Sequence, residues 1–134
     1  MATYTLSPTQ SEGDISLPTD ADLSALQYHF VKCDATDNKV VACGALEKPL
    51  GILQNAPDGS SSDATACVRV YGISKLKLDE AVVHGNFLVC TATSKGEVAD
   101  AANEEYGAVA IGSGADGDLL DVLIQRGEVT ASDA

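Results

Sequence analysis

Tryptophan is absent and aromatic residues make up only 4% of the 134-residue chain, so any core must be assembled from Val, Leu, Ile and Ala. That composition suits thin, closely spaced β-sheets. Basic residues are scarce as well: 8 Lys and Arg against 20 Asp and Glu give a formal charge of −12, and no Lys/Arg cluster occurs anywhere. Nucleic acid and anionic membrane surfaces require concentrated positive charge on their partner, so neither is expected to bind. The acidity itself reads either as a solvated surface or as a match to a partner with a basic landing site. No apolar run approaches the length of a membrane span, and the N-terminus has neither a basic n-region nor an apolar h-region. The expectation is synthesis and folding in a cytoplasm.

Chemistry-bearing motifs are also missing. Cys33, Cys43, Cys67 and Cys90 include no pair closer than ten residues, whereas zinc sites draw two ligands from a tight knuckle such as C-x-x-C. They read as free, reduced thiols, with Cys33 and Cys90 acting as small buried hydrophobes inside apolar runs. No G-x-S-x-G elbow and no P-loop is present. Gly112-Ser113-Gly114-Ala115-Asp116-Gly117 spells G-x-G-x-x-G, but a dinucleotide site needs a helix to follow and an acid about twenty residues on. With only 17 residues after Gly117, the segment reads as a hairpin loop. Asp116, Asp118 and Asp121 lack EF-hand spacing and read as a solvated turn. The adjacent acids Asp79-Glu80 and Glu104-Glu105 read as surface, and His29 and His84 as turn or edge residues. No catalytic residue, cofactor site or metal site is assigned, and the chain is expected not to be an enzyme.

What is present is a repeat. Phe30-Val31-Lys32-Cys33-Asp34-Ala35-Thr36 reads against Phe87-Leu88-Val89-Cys90-Thr91-Ala92-Thr93, with Phe, Cys, Ala and Thr in register. Val40-Val41-Ala42 then answers Glu97-Val98-Ala99, and Pro49-Leu50-Gly51-Ile52 answers Glu105-Tyr106-Gly107-Ala108. Each copy continues through an Asp-Gly turn, Asp58-Gly59 or Asp116-Gly117, into a last apolar run. Two copies are too few for an open solenoid, so a closed pair sharing one core is expected.

Along the chain, residues 1–22 read as an extended N-terminal arm, rich in Thr, Ser and Gln, with β-prone pieces at Tyr4-Thr5-Leu6 and Ile15-Ser16-Leu17. Such an arm is either mobile or pairs with something outside itself. Thr19 with Asp20 and Asp22 starts a short helical turn or an irregular lead-in. A duplicated β-domain follows over 23–127, with halves at about 27–72 and 84–127. Strands are predicted at 27–34, 39–43, 50–55, 64–71, 75–78, 87–92, 97–100, 106–111 and 119–125. The lysines of Lys75-Leu76-Lys77-Leu78 mark an exposed side or edge. Residues 128–134 form an acidic tail. The fold class is all-β and mainly antiparallel.

The order of these strands and glycines, from Leu26-Gln27-Tyr28-His29-Phe30-Val31 through Pro49-Leu50-Gly51-Ile52-Leu53 and Tyr71-Gly72-Ile73, resembles small phage head decoration, or capsid cement, proteins. The second half, from Val82-Val83-His84-Gly85-Asn86-Phe87-Leu88-Val89 through Gly107-Ala108-Val109-Ala110-Ile111-Gly112 to Leu120-Asp121-Val122-Leu123-Ile124, resembles their second half. The resemblance covers about residues 23–126. It implies a compact β-tulip or small barrel-like domain, commonly homotrimeric, that sits on the capsid surface of the virion, clamps the major capsid protein and is made in the host cytoplasm. Tyr4, Leu6, Ile15 and Leu17 are then the expected capsid-contact residues. Another virion β-module of the tail or fibre base, or a small ligand-binding β-barrel, are the alternatives.

Overall fold

Among the described residues the alternating stretches of the sequence become strands. The computed structural model describes residues 13–35, 38–60 and 64–130, and these contain no helix. The strands are β1 (Asp14–Pro18), β2 (Phe30–Asp34), β3 (Lys39–Ala42), β4 (Gly51–Leu53), β5 (Thr65–Arg69), β6 (Gly72–Lys77), β7 (Phe87–Cys90), β8 (Gly96–Val98), β9 (Glu105–Ala110) and β10 (Leu119–Glu128). They form two five-stranded sheets of order β1-β5-β4-β2-β3 and β6-β10-β9-β7-β8, with every strand pair antiparallel. Adding five to each label of the first order yields the second. The chain is two copies of one topology.

The repeat reaches further upstream than the sequence echo. β1 stands to the first sheet as β6 stands to the second, so the modules run from 14 to 70 and from 72 to 128. Ile15 and Leu17 face the first module's core and pair in register with Val68 and Ala66. Residues 14–18, inside the expected arm, are thus an integral strand, while residues 1–12 lie outside those described. The register also shifts the echo by one residue in places. Cys33 pairs with Val40 and Cys90 with Gly96, so Val40 answers Gly96 rather than Glu97. The second hairpin is one residue shorter.

The expectation of a single shared core is corrected. Leu23, Val31, Val40, Leu53, Ala66 and Val68 form one buried cluster inside the first module. A second cluster, centred on Leu76, Leu88, Ala110 and Val122, fills the second module and takes in Phe30, Cys43 and Ile52 from the first. Short, strongly twisted antiparallel sheets curl until their own edges meet, and each then encloses its own apolar face. Both modules close alike. Thr19 Oγ1, just past β1, donates to Val40 O at 2.7 Å, and Asp79 N, just past β6, donates to Gly96 O at 2.9 Å. Thr19 is thereby committed to closing the sheet, and 19–26 forms the irregular lead-in rather than a helical turn.

Candidate interaction surface

The two modules are joined by a hydrogen-bonded seam. Phe30 N donates to Ser94 O at 2.8 Å, Lys77 N to Tyr28 O at 2.9 Å and Leu46 N to Cys90 O at 2.8 Å. The carbonyl of Cys43 accepts from Ser94 Oγ at 2.6 Å and from Cys90 Sγ at 3.4 Å. The Cys43 side chain bonded beside it, together with burial, pushes the Cys90 thiol far above its ordinary range. Tyr28 and Ser94 hold left-handed φ values of 65° and 66°, a conformation that costs a non-glycine residue about 1 kcal/mol or more. The seam holds them there. The sequence reads Ser94 as part of the hairpin turn Ser94-Lys95-Gly96 and Tyr28 as part of a strand, and nothing in either stretch announces a contact between modules. Among the described residues no buried side-chain nitrogen or oxygen is left unbonded.

Outside the seam, register places equivalent rows of side chains on the two modules. In the first, Phe30, Ile52, Arg69 and Asp14 stand opposite one another across β2, β4, β5 and β1. In the second, Phe87, Val109, Leu123 and Ile73 do so across β7, β9, β10 and β6. The fates of the two rows differ. Phe30 and Ile52 are 0% exposed, covered by the second module, whereas Leu123 is 38% and Ile73 48% exposed. Ile111, 39% exposed, stands beside the row opposite Asp121, while Leu119, 46% exposed, lies beyond Asp121 on β10 and opposite Lys77. Phe87 stacks on Tyr106 with ring centroids 4.5 Å apart. Beside the row, Lys75 and Asp121 form an ion pair of 2.9 Å.

A groove of about 460 Å³ also runs between the modules, lined by Lys48, Glu105, Tyr106, Arg126, Gly127 and Glu128. Its cations already have oxygen partners: Lys48 reaches Glu105 at 3.4 Å and Arg126 reaches Leu50 O at 3.4 Å, both across the seam. These exposed contacts tie module to module more than they prepare a site for an anion.

Of the four residues expected to touch a capsid, Tyr4 and Leu6 lie outside the described residues. Ile15 and Leu17 are half-buried against the first module's core. The G-x-G-x-x-G segment is the loop from β9 to β10, pinned by an Asp118 Oδ2 bond from Ala115 N at 2.8 Å and followed by a strand. Asp116 and Asp118 are exposed there, and among the described residues no group of three or more His, Cys, Asp or Glu converges as metal ligands would. His84 is exposed in a turn. His29 is 7% exposed, with Nδ1 3.0 Å from Gln27 O, and burial lowers its pKa below the ordinary 6.5. All four cysteines are free. Cys90 is buried as expected, but Cys33 is exposed, because it lies at the end of β2 where the first barrel opens.

No protein-family model matches the chain, and no curated protein matches it by sequence. Among solved structures it is similar to the crystal structure of the head fibre gp8.5 N base of bacteriophage phi29. That likeness has a TM-score of 0.69 at 13% identity, covering 87% of this chain and 98% of that one. The two chains share a fold. At that identity the likeness carries architecture alone, and it spans nearly the whole of the phage module.

Proposed function

We propose that this chain is a non-enzymatic structural protein of a bacteriophage particle, a decoration or cement protein bound to the outer face of the head. Its partner on that surface is the major capsid protein. The observation that supports this reading best is the fold shared with almost the full length of a phage head fibre base. A seam and core given over to packing, with His29 and the Cys43–Cys90 contact used inside the fold, fit an adhesive role. The arm supplies Tyr4 and Leu6 as apolar anchors that add backbone hydrogen bonds to an open sheet edge on the shell. Three grouped copies would multiply weak contacts, since the second and third bind at high effective concentration.

A second reading, the base of a fibre, is favoured by the same neighbour, which is itself such a base. Both readings put the protein on the head, and they differ in whether it carries a further appendage. The test is to titrate purified heads lacking the protein with the full chain and with a chain lacking residues 1–12, counting bound copies per head. Saturable binding by the full chain, and loss of most of it on truncation, is expected. Heads that bind neither chain overturn the reading, and equal occupancy removes the arm from it.

A further inference from the structure

The second module ends in a face that its twin does not leave open. In the first module the row Phe30–Ile52 is sealed by the second module, and the sealed zone stops at the ion pair of Arg69 with Asp14, 2.7 Å from Nε to Oδ1. The equivalent row on the second module has no charged residue in it. Phe87, Val109, Leu123 and Ile73 line up, with Ile111 beside them in the next rank, where Asp121 pairs with Lys75. Within the row the aliphatic side chains of Leu123 and Ile73 are 38% and 48% exposed.

We propose that this face is where copies of the chain meet one another. The counterparts of Phe87 and Val109, namely Phe30 and Ile52, already serve as a contact between modules, and Leu123 and Ile73 extend that apolar strip where the first module has Arg69 and Asp14. Charge selects the same occupant. A chain of formal charge −12 repels its own copies over most of its surface. A symmetric contact sets a patch against itself or its neighbour's like surface, which only an uncharged or self-neutralised patch tolerates. This row carries no charge, and the nearest charges, Lys75 and Asp121, neutralise each other at 2.9 Å. A foreign basic partner would instead be drawn to the acidic remainder. Apolar burial of this kind persists in salt, whereas ion-pair docking weakens.

The inference rests on the structural-protein reading above, in which copies act as a group, but its test needs no heads. The mass of the full chain is measured by sedimentation equilibrium up to about 100 µM in low and high salt, for the wild type, Leu123→Glu and Ile111→Lys. The expected wild-type mass is a whole multiple of 13.8 kDa, undiminished in high salt. Each variant is expected to shift to the single-chain mass while keeping the wild-type circular dichroism, because the replaced side chains are exposed and leave both cores untouched. A wild type that stays a single chain throughout, or variants that both keep the wild-type mass, overturns the proposal. An assembled protein that ignores heads sinks the function above and leaves this inference standing; a single chain that decorates heads does the reverse.

Discussion

His29 sits between the irregular lead-in and β2 and is held neutral by its surroundings. Burial disfavours its imidazolium and outweighs the opposing pull of Gln27 O, which accepts from Nδ1. The unfolded chain takes up a proton near the ordinary 6.5, while the folded chain resists until lower pH. Stability from this residue is therefore complete above that value and is lost as pH falls through the folded pKa. Unfolding free energies from urea titrations at about pH 7.5 and about pH 5.5 are expected to drop more in the wild type than in His29→Gln. Equal drops would mean that His29 titrates alike in both states. Other single residues are fixed by space rather than charge. A methyl group on Gly51 would collide with the carbonyl oxygen of Arg69, and one on Gly107 would lie 2.5 Å from Pro49 Cγ. These two glycines were matched in the sequence echo, yet Phe30 pairs with Ile52 and Phe87 with Val109, so they are not equivalent in register. Each is required by its own close approach.

At the scale of elements, β1 decides how the first module ends. It covers the edge of β5, and Thr19 just beyond it closes the sheet onto β3. Removing residues 1–12 is expected to leave thermal stability essentially unchanged. Removing 1–18 strips Ile15 and Leu17 from the core and bares the whole edge of β5, at a cost of roughly 3 kcal/mol or more and a visible tendency to aggregate. Thermal melts of the two truncations check this, and indistinguishable midpoints would show β1 to be dispensable. Most strands were legible in the sequence because they alternate: Ala66 and Val68 point in while Thr65, Cys67 and Arg69 point out. The equivalence of β1 and β6 was not legible. Ile15-Ser16-Leu17 and its counterpart Ser74-Lys75-Leu76 share too few residues, and only the pairing with β5 and β10 reveals that they do the same job. The module boundaries slipped for the same reason. The division into two cores also escaped, since an alternating strand states that one face is buried without stating against what.

At the scale of the whole molecule, an acidic protein built from two small barrels joined by a hydrogen-bonded seam presents one uncharged row and a groove whose two cations, Lys48 and Arg126, are met by Glu105 and Leu50 O. The apolar row was hidden in the sequence because Ile73, Val109 and Leu123 alternate exactly as buried residues would; only strand register shows that their partners in alternation already fill the core. The proposed function is one of placement, and it is tested most directly by cryo-electron microscopy of phage particles assembled with the chain present, with its described β-domain fitted to the density. Density for the twin modules on the outer surface of the head shell, in contact with the major capsid protein, is the predicted result. Density confined to the tail, or particles without any, would contradict the account.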